Sequence, residues 1–357
     1  MLTQIRPQEF DLSIGIDTSK KSYAITYMDH DRKSKSLMMP AKPQKLHHYF
    51  QRQFPQKRLL YIYEAGPTGY ELYDYLRTQH QTCLVVHPAS IAQASNQRVK
   101  NNRIDSQKLS QQGLNAELQS IRVPEEAYRQ LRHLATLRQD YAKDQRRAKQ
   151  RIKSLVLFES LKLPESLEAD RHWSARYRAC LSKLQVPNES VGFRLQSLLE
   201  DLDHAQQRLL KVHRQMRAFS TSQAAVVQQL SYLRSIPGLG FVVSIYLLAR
   251  IGNPEHLRNV REIGCFAGLT PREHSTGENI NQGSISHMGD GMLRSLLVQA
   301  AWIAIRKDKP LSQFFDRIRS RHHSKGASQI AIVAVARKLT MRIYRVLKDQ
   351  RPYVSFQ

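Results

Sequence analysis

Two kinds of hydrophobic pattern divide the chain. Up to about residue 120 the apolar residues come in short runs bounded by turn formers. Residues 12–16 (LSIGI) read as a strand, and 22–28 (SYAITYM) alternates like its antiparallel neighbour across a Lys-rich turn. Residues 58–63 (RLLYIY) and 82–86 (TCLVV) are two more apolar strands. The first is followed by Ala65-Gly-Pro-Thr-Gly69 and a helix from about Tyr70, and residues 103–114 are again helical. Strands followed by helices predict a mixed sheet covered by helices.

From Pro124 the period lengthens. Ala127, Leu131, Leu134, Tyr141, Ala148, Ile152 and Leu155 fall on a seven-residue grid, with Arg138 and Gln145 as its polar members. Leu195, Leu198, Leu202, Ala205, Leu209, Val212, Met216 and Phe219 then recur in steps of three and four, the period of a coiled-coil seam. Such a seam serves equally a helical hairpin inside one subunit or a contact between two subunits. A third pattern begins near Ser231. It holds Ile236-Pro-Gly-Leu-Gly240, a helical run FVVSIYLLARIG, a Gly- and Ser-rich loop over 268–291, and closing helices over 292–307 and 328–348. The predicted class is α/β plus α, in three parts: an α/β domain over 1–122, a long-helix coiled-coil region over 123–230 and a helical domain over 231–357.

Charge changes this picture. Among 357 residues, 55 Lys and Arg face 30 Asp and Glu, a formal charge of +25. A soluble protein with such an excess usually meets a polyanion. Between Tyr128 and Lys153 stand nine basic residues (Arg129, Arg132, Arg138, Lys143, Arg146, Arg147, Lys149, Arg151 and Lys153) against two Asp. From Lys307 to Arg351 there are twelve against three. An imbalance this strong on a long helix points to phosphate contact. Cys83, Cys180 and Cys265 lie far apart with no CxxC pair, which excludes a disulfide scaffold or zinc ribbon and fits a reducing compartment. The apolar runs fall short of the roughly 20 residues that span a bilayer. The first residues, MLTQIRPQEF, do not read as a secretory signal. The expected setting is cytoplasmic, with no membrane partner.

The candidate chemistry begins with carboxylates. Asp17 follows Ile14-Gly-Ile16, Glu64 ends an apolar strand, and Asp105 lies near the start of a helix with Asn102 three residues earlier on about the same face. A carboxylate at the end of an apolar strand is costly unless a cation or a donor meets it. Three from separate elements suit a divalent-metal phosphoryl-transfer site, in which hard oxygen ligands hold two Mg²⁺ about 4 Å apart. Singly, each is more often a cap or a surface residue. Ser275-Thr276-Gly277, flanked by Arg272 and His274, offers a hydroxyl nucleophile beside a cation, although as a bare pattern it is a turn. Gly238 and Gly240 let backbone N–H groups approach a phosphate at a helix start, or simply make a tight interhelical turn. The pairs His47-His48 and His322-His323 lack companion ligands and read as surface residues. Trp173 and Trp302 read as packing groups.

GIDTSK around Asp17, YEAGPTGY around Glu64 and RIDSQKL around Asp105 resemble the RuvC-like, RNase H-fold domain of DEDD-type insertion-sequence transposases. That family includes the Piv-type DNA invertases and the bridge-RNA-guided recombinases. IPGLGFVVSIYLLARIG, CFAGLTPREHSTG and GSISHMGDGMLRSLLVQAA, the last holding Arg294, resemble its C-terminal transposase domain. The resemblance implies a metal tetrad of Asp17, Glu64, Asn102 and Asp105, with Ser275 as the nucleophile that becomes linked to DNA and Thr276 as the register alternative. It also implies Mg²⁺, double-stranded DNA at element ends and target, a structured guide RNA, and a homo-oligomer, dimer or tetramer, in which acids and serine converge. One position departs from the family, which usually has Asp where Lys100-Asn-Asn-Arg-Ile-Asp105 places Asn102. Asn supplies a neutral carbonyl and one negative charge fewer, so metal affinity should fall. Three rival readings remain at the level of sequence: a guide-free site-specific invertase, a metal-only RuvC-like junction nuclease and a catalytically weakened nucleic-acid-binding relative.

Overall fold

The computed structural model describes residues 6–88, 101–115, 118, 120–164, 173–273 and 282–354. The chain divides into two compact units, Met1–Val123 and Pro124–Gln357.

The first unit is built on a six-stranded mixed sheet. Strands β1 (Leu12–Thr18), β2 (Ser22–Met28) and β3 (Ser34–Pro40) form an antiparallel meander. Beside β1, strands β4 (Leu59–Glu64) and β5 (Thr82–Val86) run parallel to it, and the two-residue β6 (Ser120–Ile121) closes the edge, giving the order β3-β2-β1-β4-β5-β6. Side chains alternate across a sheet, so residue parity sorts its two cores. Ile14, Ile16, Tyr61 and Tyr63 point to one face, where they pack with Leu46 and Phe50 of α1 (Pro43–Gln53) and Leu72 and Leu76 of α2 (Glu71–Thr78). Leu60, Ile62, Leu84 and Val86 point to the other, which is covered by α3 (Asn102–Leu114) through Leu109. The strands read from alternation and from short apolar runs are all present. Strand β3 was not legible in that way, because SKSLMMP is an exposed edge strand whose Lys and Ser interrupt the alternation.

The second unit is helical. Helix α4 (Glu126–Phe158) is followed by the short α5 (Ala175–Leu181) and by α6 (Glu189–Ser222), and α4 packs along α6. The seam splits into two cores. At one end Ala148, Ile152 and Leu155 meet Leu195, Leu199 and Leu202 together with Tyr177 and Leu181 of α5. At the other, Tyr128, Leu131 and Ala135 meet Val212 and Met216. This second cluster continues without a break into α7 (Ala224–Ser235), α8 (Phe241–Ile251), the one-turn α9 (Glu262–Phe266), α10 (Gly291–Lys307), α11 (Lys309–Arg319) and α12 (Ala327–Lys348). The boundary sought near residue 231 therefore falls inside one unit. The repeating seam is used within a single chain, as a hairpin. Leu199 rather than Leu198 is the buried residue there, because the helix turns past a strict seven-residue repeat.

The Gly- and Ser-rich stretch is not wholly a loop: β7 (Pro271–Glu273) pairs antiparallel with β8 (Gln282–Ile285). Helix α11 and its cap Asp308, whose carboxylate accepts from the Leu311 amide at 2.9 Å, also escaped the periodic reading. No helix among the described residues is long and apolar enough to cross a membrane.

Candidate functional site

The acidic residues belong to one face of one sheet. The last parallel pair between β1 and β4 is Ile16 opposite Tyr63, so Asp17 and Glu64 are the next residues of two adjacent strands. By parity both project to the side that carries α3, with Gly15 and Ile62 two residues before them. Helix α3 crosses this face antiparallel to β1. Its Ser110 hydroxyl donates to the Ser13 carbonyl at 2.8 Å, Gly113 lies against Ser13 and Ile62, and Ser106 lies against Gly15. The same course brings the first turn of α3, with Asn102 and Asp105, to the end of β1 that bears Asp17. On the helix, positions 102, 105, 106, 109, 110 and 113 form one stripe, whose last four members are buried. Asn102 and Asp105 extend that stripe beyond the packed part. Asp17, Glu64 and Asp105 are half-buried and Asn102 is exposed.

The end of α3 is fixed by a residue that the sequence reading passed over. Asn101 caps the helix, its side chain accepting from the Arg103 amide at 3.1 Å, which leaves Asn102 as the first helical residue. Asp105 sits in the first turn, where the helix dipole favours a carboxylate. The segment after Glu64 is folded back onto the sheet. The Ala65 amide donates to the Val86 carbonyl at 2.8 Å, the Tyr63 hydroxyl donates to the Gly69 carbonyl at 3.2 Å, and the hydroxyls of Thr18 and Thr68 meet at 2.9 Å. Gly69 has φ +69°, which only glycine adopts freely. Burial drives the Tyr63 phenol well above its ordinary pKa, so it remains a donor to that loop.

These residues fit a hard cation by donor type, being three carboxylates and an amide carbonyl. Among the described residues, however, no three His, Cys, Asp or Glu side chains are gathered as a ready-made metal cage. The backbone brings the acids to one edge; the side chains do not form a closed shell. His47 is half-buried and not a surface residue. Its ring lies edge-on to Tyr75, its Nδ1 is buried, and burial holds its pKa below the usual value.

Ser275, Thr276, Gly277 and His274 lie outside the described residues, between the paired strands β7 and β8. The base of that pair is tied down by several contacts. Gly268 (φ +64°) and Gly289 (φ +121°) let the two backbones approach so closely that a Cβ at either would fall within 2.5 Å of a carbonyl oxygen. Asp290 caps α10 and pairs with Arg250 at 2.6 Å. Arg294 donates to the carbonyls of Ala267 and His287 at 3.0 and 3.5 Å, so its guanidinium closes this base rather than standing free. Arg272 is exposed, with one bond to the Ser286 carbonyl at 3.4 Å.

The nine basic residues of α4 divide along its length. Near its start Arg129 pairs with Glu126 at 3.0 Å, Arg132 donates to the Ala249 carbonyl at 3.0 Å, and Arg138 donates to His213 at 3.0 Å. Arg132 and Arg138 thereby hold the helix to its own fold, and Arg129 is paired within the helix. Further along, Lys143, Arg146, Arg147, Arg151 and Lys153 are exposed, two of them in loose pairs with Asp140 and Asp144. Lys149 lies over the Trp173 ring at 5.6 Å; burial, then Arg178 and Lys153, lowers its pKa. Trp173 itself packs edge-on to Tyr177. At the Ile236–Gly240 turn, Gly238 (φ +90°) is a packing glycine, since a Cβ there would lie 2.3 Å from the Ala300 carbonyl oxygen. Gly240 is exposed at the start of α8.

Comparison with known proteins gives matches over both units. A model described as transposase of the IS116/IS110/IS902 family matches residues 230–316. A second, for the DEDD transposase of the IS110 type, matches residues 14–159. A protein of Sinorhizobium fredii named as transposase y4qE is 26% identical over 323 residues, covering 84% of this chain and 78% of the relative. The transposase for insertion sequence element IS1533 of Leptospira borgpetersenii is 22% identical over 354 residues, 95% of this chain and 96% of the relative. The pilin gene-inverting protein of Moraxella bovis is 28% identical over 195 residues, 54% of this chain and 59% of the relative.

Proposed function

Because this chain belongs to the IS110/IS116/IS902 family of transposases, enzymes that cut and recombine DNA, we propose that it exchanges strands between the ends of an insertion sequence and a target using a serine and an acidic metal site. The observation that supports this most is the arrangement of Asp17 and Glu64 at adjacent strand ends, on the face where α3 begins with Asn102 and Asp105. Such a corner, in a RuvC-like, RNase H-type domain, offers oxygen ligands from three separate elements. When bound there, divalent cations, read as two Mg²⁺, neutralise charge at the scissile phosphate. Asp17, Glu64 and Asp105 would hold them, with Asn102 as a weaker fourth. The Ser275 hydroxyl attacks phosphorus; a bond from its oxygen to phosphorus forms as one bridging P–O bond breaks. Its proton leaves, and the departing oxygen is protonated in turn.

The exposed distal half of α4, from Lys143 to Lys153, with Arg272 and the helix start at Gly240, forms the proposed surface for nucleic-acid backbones. A structured guide RNA would then leave sequence readout to base pairing, as in other guided systems. The remaining proposals are the coiled-coil character of the α4–α6 pair, assembly into a dimer or tetramer that joins acids and serine, and a cytoplasmic setting. The match to the pilin gene-inverting protein favours a second reading, a guide-free DNA invertase.

Strand cleavage on element-end DNA tests the chemistry. Ser275→Ala should abolish both cleavage and the covalent protein–DNA adduct, and Glu64→Gln should abolish cleavage. Undiminished cleavage by Ser275→Ala without an adduct would leave a metal-only nuclease. Asn102→Asp should tighten divalent-metal binding; if neither form recombines its cognate element with RNA supplied, the enzyme is a weakened binding relative. Recombination by RNA-free protein would favour the invertase reading over the guided one.

A further inference from the structure

We propose that Ser106 and Thr26 are positioning residues for the acidic corner, a chain of hydroxyls that sets where α3 begins relative to Asp17 and Glu64. The proposal rests on the metal-site reading above. Its starting point is one row of the sheet. Gly15, Thr26 and Ser36 stand opposite one another on β1, β2 and β3. Gly15 has no side chain, and the Ser106 backbone occupies that space, with the Ser106 carbonyl oxygen 2.1 Å from where a Cβ would be. Ser106 is thereby brought low enough for its hydroxyl to reach Thr26 at 2.9 Å, and Thr26 reaches Ser36 at 3.0 Å.

One proton order uses every contact in this chain. With the Ser106 hydroxyl donating to the Arg103 carbonyl at 2.9 Å, its single proton is used and Thr26 donates to Ser106. Thr26 in turn accepts from Ser36. The run therefore has one direction, from an edge strand through a fully buried pair to the first turn of α3. It ends on the carbonyl of Arg103, between Asn102 and Asp105, and Ser106 directly follows Asp105. Ser106 and Thr26 are both 0% exposed, where an apolar pair would pack as well and would leave nothing to satisfy. Fully satisfied buried hydroxyls instead specify one placement, here one height and one rotation of the turn that bears the ligands.

Thr26→Val keeps the branched shape and removes the donor. In full-length protein, Mn²⁺ titrated by calorimetry without nucleic acid should bind about tenfold more weakly in this variant, the loss typical when support behind a ligand is removed. The metal-free melting midpoint should change little, and Thr26→Ser should restore affinity. Should Thr26→Val fail to fold, Ser36→Ala removes the half-buried first donor and should weaken Mn²⁺ binding in the same direction. Wild-type Mn²⁺ affinity in Thr26→Val, with binding lost in Asp17→Asn and Glu64→Gln, overturns the positioning role alone. Equal weakening in Thr26→Ser and Thr26→Val overturns it too, since packing would then be the cause. If Asp17→Asn and Glu64→Gln bind Mn²⁺ like wild type, the metal site itself fails and this proposal with it.

Discussion

The two units solve the same problem, holding a helix against its neighbour, by opposite means. In the second unit α4 and α6 meet through large side chains, among them Ile152, Leu155, Leu202 and Met216, each buried. In the first, α3 meets β1 through the absence of side chains. Gly15 admits the backbone of Ser106 and Ser110, and Gly113 lies where a Cβ would be 2.1 Å from the Ile62 Cδ1. A side-chain seam tolerates changes of shape at a cost in free energy. A backbone contact sets a distance, and a change there moves whatever the helix carries.

The largest loss of stability is expected where side chains do the packing. Leu202 is 0% exposed among Ile152, Leu195 and Leu181. Leu202→Ala should cost about 2–5 kcal/mol in urea unfolding, from lost transfer energy and the cavity left behind. Because it acts within the helical unit, its folded fraction should bind Mn²⁺ as the wild type does. A change in metal affinity would break the distinction between the units.

Gly15→Ala should cost less and do more. One methyl group there meets the Ser106 carbonyl and the Ser110 amide, which cannot rotate aside, so α3 must lift. Overpacking of this kind costs about 1–3 kcal/mol. The added effect is specific, since lifting α3 separates Asp105 from Asp17. Loss of Mn²⁺ binding in a protein that still unfolds cooperatively is the expected result. Full retention of binding would mean that the acids do not depend on this contact.

The same contrast explains what could be read from the sequence. Alternation revealed β2, short apolar runs revealed β1, β4 and β5, and steps of three and four revealed α4 and α6, because burial imposes those patterns on large side chains. It did not reveal that one hairpin core runs on into α7 to α12, since residue 231 marks a change of motif and not of packing. Strand β3 was hidden by its exposed Lys and Ser, and β7 and β8 by their shortness. Asp17, Glu64 and Asp105 could be picked out as carboxylates at element ends. The close contact of α3 with β1 could not, although a glycine inside a strand and another inside a helix were its traces. Likewise, nine basic residues on α4 looked alike in sequence. Only the fold separates Arg132 and Arg138, which bind their own chain, from Arg151 and Lys153, which face solvent.

Polar groups inside the two contacts sharpen the comparison, with the smallest effect. In the first unit they are hydroxyls, which do not titrate near neutrality. In the seam of the second, Arg138 donates to His213 Nε2 at 3.0 Å, a bond that requires an unprotonated nitrogen. Burial first, then Arg138 and Arg217, lowers the His213 pKa from 6.5. With the folded value below the unfolded one, the contribution is fully present above about pH 6.5 and is lost as pH falls through the lower folded value. The unfolded chain takes up its proton first, and the balance shifts toward it. Melting midpoints followed from pH 7.5 to pH 5.5 should therefore decline, and His213→Gln should flatten part of that decline. Metal-free Thr26→Val should leave the slope unchanged. An unaltered slope in His213→Gln would show that the seam's polar layer is as indifferent to pH as the hydroxyl chain, and that the two contacts differ in size of side chain alone.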